Sequence, residues 1–287
     1  MKTLSPLEPV LAHVRAEPSR TWSIIISFFG DAIVPRGGNV WLGTLLAFFK
    51  GMEVGETVVR SAVSRLAAED WLSRTKIGRN SFYHLADRGR ETFARATERI
   101  YHPHRQGWSG VFDAWLVDSS IRESLLARED AGFGQILPGL LIAPGGQTPP
   151  ERGLAALPLT LGGTPETMQE LASRAWKLAE LAGFYQGFSE VFSPLRLALA
   201  RGVKLSPLEA ILARVLMIHE YRRIILRDPM LPAEILPVNW PGEAAQALCA
   251  EVYDQLLAPS EAWLNANALG EDFQPLPENP DIYKRFK

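Results

Sequence analysis

The chain holds a single cysteine, Cys249, among 287 residues. One thiol closes no intramolecular disulfide and builds no multi-cysteine zinc site, and in its apolar helical setting it reads as core packing. Long apolar runs are scarce too. The most apolar stretch, residues 22–34, is interrupted by Gly30 and Asp31 and is too short to cross a bilayer. The opening MKTLSPLEPVLAHVRAEPSR has no continuous apolar segment of the secretory kind. A soluble, cytoplasmic chain without membrane contact is therefore expected. Net charge is also scarce, at −2, which excludes a protein that coats nucleic acid indiscriminately. Signatures of catalysis are missing as well: no Walker loop, nucleophile elbow or paired carboxylates can be found. Gly132-Phe133-Gly134 opens like a dinucleotide loop, but Leu137-Pro138 stands where the phosphate-binding helix should begin. His219-Glu220-Tyr221-Arg222-Arg223 opens like a zinc-protease helix and lacks its second His. The expectation is a non-enzyme with no catalytic residue, no metal and no cofactor.

What is present is enough for more than one domain. A hydrophobic fraction of 47% supports real cores. Charge is unevenly spread: the first 105 residues carry 15 Lys and Arg against 10 Asp and Glu, and the remainder 15 against 22. A basic front and an acidic back suit a DNA-binding head on a body with another task.

Within the head, Val59, Ala62, Val63 and Leu66 form one helical stripe, and Thr57, Arg60, Ser61, Ser64 and Arg65 lie opposite. Arg bridges a guanine edge or grips phosphate, while short hydroxyls reach backbone or base without filling the groove. A two-strand pattern follows, residues 71–77 and 82–85, with Lys76 near a tip of Gly78-Arg79-Asn80. Taken alone, the helix is equally a solvated amphipathic face. Joined to the hairpin and a preceding helix, it becomes the winged helix-turn-helix pattern. Ser19 or Thr21 is expected to cap the first helix, with Trp22, Ile25, Ile26 and Phe29 inward. A second helix over 40–49 is expected to turn Leu42, Leu45, Leu46 and Phe49 inward. Asp87 is expected to cap a basic helix reaching about residue 101, and residues 1–19 read as a loose arm.

After a linker at 102–107, strands at 111–117, 133–136, 140–143 and 157–161 alternate with helices at 119–128 and 151–156, a ferredoxin-like order. Helices over 166–182, 184–201, 207–226, 242–257 and 260–267 follow, with Ser206-Pro207-Leu208-Glu209 as a capping start. The tail, 274–287, is polar and Pro-rich and is expected to hug the surface or fray. The fold class is multidomain α+β, with boundaries at 1–104, 105–165 and 166–287.

Several separated stretches resemble the PaaX family of bacterial repressors. In the head they are residues 59–66, Glu69-Asp70-Trp71-Leu72 and Arg79-Asn80-Ser81-Phe82-Tyr83. In the middle they are residues 108–117, Gly132-Phe133-Gly134 and Pro138-Gly139. In the rear they are Arg174-Ala175-Trp176-Lys177-Leu178, Tyr185, Phe188, and the run from His219-Glu220-Tyr221-Arg222-Arg223-Ile224 to Trp240-Pro241-Gly242. The resemblance implies an N-terminal winged helix, a central Cas2-like ferredoxin domain and a C-terminal helical domain. It also implies a homodimer on double-stranded operator DNA, a phenylacetic acid operon as target and release by phenylacetyl-CoA. Gly55 stands where relatives carry Ser or Thr as the cap of the recognition helix, a weaker cap.

For an acyl-CoA effector, Trp176, Tyr185 and Trp240 suit an aryl slot, and Arg222 and Arg223 suit phosphates, with His219 as a polar contact. The plainer alternatives stay open: aromatics and His as core, and the two arginines paired with Asp228 or Glu220. Other classes are an acyl-CoA-binding protein or CoA-thioester enzyme, a regulator of a different acyl-CoA pathway, and a Cas2-like nuclease. The nuclease has only Asp113 on its strands, with Asp118 close behind.

Overall fold

The computed structural model describes residues 5–16, 20–105, 107–117, 132–146 and 159–287. They divide into two units, one drawn from Met1–His102, Phe188–Arg222 and Ala244–Lys287, the other from Pro103–Gly187 and Arg223–Glu243. The class is α+β, with helices and two small antiparallel sheets.

In the first unit, a short α1 (Glu8–Ala16) precedes α2 (Thr21–Phe28), which does not stop at Gly30 and Asp31. Instead the backbone widens into a π turn, Phe29–Ile33. The core takes Ile24, Ile25 and Phe28 from α2 and Phe29, Ala32 and Ile33 from the π turn, while Trp22 and Ile26 are only half-buried. The inward stripe is thus rotated from the one expected. The cap is Arg20, Thr21 is already helical, and Ser19 lies outside the described residues. Asn39 was expected to end a turn and residues 40 and 41 to open a helix; the three form β1 (Asn39–Trp41), and α3 (Leu42–Lys50) begins after it. Leu42, Leu45 and Phe49 are buried as expected, joined by Thr44 and Phe48, whereas Leu46 is half-buried.

Next comes α4 (Glu56–Ala68), burying Val59, Val63 and Leu66. The hairpin is β2 (Leu72–Ile77) and β3 (Asn80–Leu85), and the antiparallel sheet runs β1-β3-β2. Gly78, at φ 58, takes the first central position of a two-residue turn, where L side chains are disfavoured. Asn80 consequently pairs with Ile77 as the first residue of β3; it is not part of the tip. Helix α5 (Asp87–Tyr101) has Ala86 at its cap, so Asp87 supports the first turn by charge.

The second unit holds β4 (Val111–Leu116), β5 (Gly134–Leu137), β6 (Leu140–Pro144), β7 (Leu159–Gly162) and α6 (Pro165–Ala175). Strand order is β5-β6-β4-β7, every neighbour antiparallel. One face of the sheet, with Phe112, Ala114 and Ile142, packs on Met168, Ala172 and Trp176 and on Leu231, Ile235 and Leu236. The other carries Trp115, Val117, Leu141 and Ala143 against Phe133. The helices expected at 119–128 and 151–156, together with Asp118, lie outside the described residues.

Beyond the sheet, α7 (Leu178–Ala200) runs through Gly183, where a break was expected. The break falls at Trp176, which is extended at φ −120 and ψ 148. Its ring lies so close over Gly134 that a Cβ there would sit 2.6 Å from it. Helix α8 (Pro207–Ile225) starts with the expected reciprocal cap: Glu209 Oε2 accepts from Ser206 N at 2.9 Å, and Ser206 Oγ accepts from Glu209 N at 3.3 Å. The two last expected helices are one, α9 (Pro241–Asn267), continuous through Pro259. There Ser260 Oγ donates to the Leu257 carbonyl at 2.9 Å, satisfying a backbone group near the proline.

The tail does not fray. Ile282 is buried, and the Phe286 ring meets Tyr101, Tyr221 and Tyr253. Arg285 reaches a buried ionic cluster centred on Asp31. Asp31 pairs with Arg214 at 2.7 Å and Arg285 at 3.0 Å, and accepts from the hydroxyls of Tyr101 and Tyr253 at 2.6 and 2.8 Å. Glu261 pairs with Arg214 and Arg36, both at 2.6 Å. Burial pushes both phenols well above their ordinary pKa, so they remain donors to Asp31.

Candidate nucleic-acid interface

Because α4 buries Val59, Val63 and Leu66, helical geometry alone turns Thr57, Arg60, Ser61, Ser64 and Arg65 outward, and all five are exposed. Arg60 meets Glu56 at 3.4 Å and Arg65 meets Glu69 at 2.7 Å, each one turn along the helix. Exposed pairs of this kind are worth about 1 kcal/mol or less, so either guanidinium can exchange its carboxylate for a phosphate or base. Arg65 also stacks 5.7 Å over the Trp22 ring, which explains why that ring is left half-exposed. The side chains of Thr57, Ser61 and Ser64 have no hydrogen-bond partner among the described residues.

At the hairpin, Lys76 and Arg79 are exposed and carry no ion pair among the described residues. Asn80 is half-buried, and its Oδ1 accepts from Trp41 Nε1 at 3.2 Å. Arg74, not among the contacts expected from the sequence, lies exposed on β2 and donates to Ser81 Oγ at 2.8 Å. Its position two residues before Lys76, on the same face of an alternating strand, was the available signal. Trp41 was hidden as well, because a helix was expected from residue 40.

Of the six residues expected to hold an effector, His219 and Arg222 belong to the first unit, and Trp176, Tyr185, Arg223 and Trp240 to the second, where Trp240 packs on the core cluster that contains Trp176. His219 is buried in the first unit with Nδ1 2.9 Å from Ser27 Oγ. Arg222 donates to the same Ser27 Oγ at 2.6 Å and to the carbonyl and hydroxyl of Ser23 at 3.0 and 2.8 Å. Arg223 is exposed in the second unit. Tyr185 is buried there, meets Trp240 edge-on at 5.9 Å, and donates to Asp228 Oδ2 at 2.8 Å. Asp228 also pairs with Arg105 at 2.9 Å and accepts from Met230 N at 2.7 Å. That aspartate therefore organises the end of α8.

Only Trp176 of the six lines the cleft of about 560 Å³ in the second unit. Phe133, Leu181 and Phe184 supply apolar walls, Arg174, Lys177 and Arg227 positive charge and Glu180 negative charge, with Arg174 paired to Glu170 and Lys177 to Glu180 in exposed ion pairs. The volume falls within the range of small-molecule sites. On β4, Asp113 accepts from Gly146 N at 2.8 Å, a strand-end contact.

A family model described as PaaX-like protein matches residues 20–89, and one described as PaaX-like protein C-terminal domain matches residues 176–266. A transcriptional repressor PaaX from Escherichia coli (strain K12) is 34% identical over 278 residues, covering 90% of this chain and 87% of that protein. A solved structure of an uncharacterized protein from Mycobacterium tuberculosis, 25% identical, covers 77% of this chain and 89% of that one with a TM-score of 0.47.

Proposed function

The chain belongs to the PaaX family of transcriptional repressors, and from that premise we propose that it represses a phenylacetic acid catabolic operon by binding its operator. The observation that carries the reading is the outward face of α4. There two guanidiniums in weak surface pairs and three unpartnered hydroxyls face outward, and the hairpin that follows in the chain is tipped by Arg79. Helices α2, α3 and α4, with β1 between α2 and α3 and the β2–β3 hairpin after α4, are read as a winged helix-turn-helix, with α4 entering the major groove. Thr57, Arg60, Ser61, Ser64 and Arg65 read bases or grip phosphate. Lys76 and Arg79, with Asn80 behind them, follow the backbone or minor groove. The sheet order β5-β6-β4-β7 supports a ferredoxin-like, Cas2-like reading of the second unit. In functional terms the chain is a DNA-binding head at 1–104, a central domain at 105–165 and a helical domain at 166–287. A homodimer reads two half-sites one helical turn, about 34 Å, or a multiple apart.

Release is assigned to an aryl-CoA thioester, phenylacetyl-CoA first among them. The Trp176 cleft favours this chemistry: apolar walls suit an aryl group, and the cations around them suit phosphates. Tyr185 and Trp240 support that region as an aromatic pair. A thousandfold loss of operator affinity needs the ligand to prefer the released state by about 4 kcal/mol. The experiment is a gel shift on the region upstream of the chain's own coding sequence, with and without phenylacetyl-CoA. A specific shift lost on adding the thioester is expected. No shift on that duplex, or one indifferent to every aryl-CoA, overturns the operator or the effector assignment respectively.

A further inference from the structure

The β1-β3-β2 sheet rests on more than the helices around it. The chain leaving α9, residues 268–276, closes on itself through a bridge between Leu269 and Pro275. It is further tied by Gly270 N to the Gln274 carbonyl and Leu276 N to the Ala268 carbonyl, both at 2.9 Å. This tied loop meets the sheet at several points. The Trp41 N–H donates to the Leu269 carbonyl at 2.9 Å, and just outside both elements Thr44 Oγ1 of α3 donates to the carbonyl of Asn267, the last residue of α9, at 2.7 Å. The Phe273 ring meets the Phe82 ring edge-on at 5.3 Å. The Glu271 carboxylate faces Asn39 of β1 and Thr75 of β2, whose side chains hold it below the usual carboxylate range.

Trp41 carries the contact onward. Its backbone is held by the loop while its indole Nε1 donates to Asn80 Oδ1, next to Arg79 at the turn. The ring occupies this place only because residue 43 is glycine: a Cβ there would lie 2.3 Å from the indole. One residue thus joins the loop after α9, through its backbone, to Asn80, the strand residue next to the exposed tip, through its indole.

We propose that the loop following α9 sets where the β2–β3 turn meets DNA, with Trp41, Glu271 and Phe273 as positioning residues that do not themselves touch the duplex. The inference rests on the DNA-binding reading of α4 and the turn. A two-stranded hairpin is marginal by itself, and β2 is an edge strand, so an unsupported turn samples many placements. Holding it still beforehand removes an ordering cost from binding. The same attachment makes the turn responsive to α9: a ligand preferring a different placement of that helix would move the tip without touching it.

Phe273→Ala, Trp41→Phe and Arg79→Ala test the proposal in the full chain, each alone and each of the first two combined with the third. Affinity for the upstream duplex is measured across salt concentrations, and thermal melting confirms that each variant is folded. Phe273→Ala and Trp41→Phe are expected to lower affinity several-fold and to flatten the log–log salt slope by roughly one unit, as Arg79→Ala does. Combined with Arg79→Ala they should add nothing more, because all three remove the same contact. Phe273→Tyr, which keeps the ring, should restore wild-type binding. A merely structural loss would leave the slope unchanged and add in full to Arg79→Ala. Either outcome overturns the proposal, as does a wild-type slope in Arg79→Ala. If the wild-type chain binds no duplex at all, the DNA-binding reading itself fails.

Discussion

Two groups of arginines in the same unit are put to opposite uses. Arg36, Arg214 and Arg285 are drawn into the Asp31–Glu261 cluster, and Arg214 and Arg36 are essentially fully buried. Arg60 and Arg65 stand more than half exposed on α4, each beside a glutamate that is also exposed. The residue type is the same and ion pairs are present in both groups, yet burial changes what a pair is worth. A guanidinium taken out of water must keep its carboxylate, since the alternative is an uncompensated charge in a poorly polarisable interior. A guanidinium at the surface gives up its carboxylate at little cost, which leaves it available to a nucleic acid. Fixed charge and exchangeable charge are separated here by little more than which face of a helix a residue occupies.

Breaking the buried group should give the largest effect. Asp31→Ala leaves Arg214 and Arg285 without their shared carboxylate and removes the acceptor of two buried phenols. A loss of about 3–5 kcal/mol of folding stability is expected, read as a lowered midpoint in urea denaturation. An Asp31→Ala chain with a wild-type midpoint would mean the cluster is structurally idle. The exposed group should respond in the other currency. Arg60→Ala or Arg65→Ala is expected to cost about 1–3 kcal/mol of operator affinity if it reads a guanine, with relaxed choice at that base pair. Both should melt close to wild type, because the surface pairs they remove contribute so little. Arg79→Ala should weaken all sequences alike. Competition binding with single-base operator variants separates the two behaviours. Unchanged affinity in all three variants would remove this face from the DNA contact.

How far these two groups could be foreseen differs for a physical reason. The exposed face of α4 was legible because helical periodicity sorts apolar from polar residues locally, and nothing distant decides it. The capping box at Ser206 and Glu209 was legible on the same ground, as was the apolar run of β4. The Asp31 cluster was not, since its members lie at positions 31, 36, 101, 214, 253, 261 and 285, and only the tertiary fold brings them together. The same distance hid the role of the tail, whose polar composition resembles a loose end although Arg285 and Phe286 are anchored. For the residues proposed for an effector, the partners were hidden by the same distance: His219 and Arg222 serve Ser27 in one unit, while Trp176 lines a cleft in the other. Gly134 beside Trp176 and Gly43 beside Trp41 mark close approaches that no periodicity announces.

The smallest expected effect lies between the two extremes of burial, at the start of α8. Glu209 is half-exposed, and hydrogen bonds from Ser5 and then Ser206 hold its carboxyl below the usual carboxylate range. A carboxyl with a lowered folded pKa adds stability that is fully present above its unfolded value, about 4.3, and fades as pH falls through the lowered one. Glu209→Gln keeps the size and loses the charge. It should cost about 0.5–1 kcal/mol at pH 7, the scale of a weakened cap, and lower the melting temperature by only a few degrees. As pH falls below about 4 the difference from wild type should close, because wild-type Glu209 is then protonated too. Melting curves of both chains at pH 7 and in mild acid test the sign directly. A gap that widens on acidification would mean that Glu209 favours its neutral form in this cap, against the hydrogen bonds from Ser5 and Ser206.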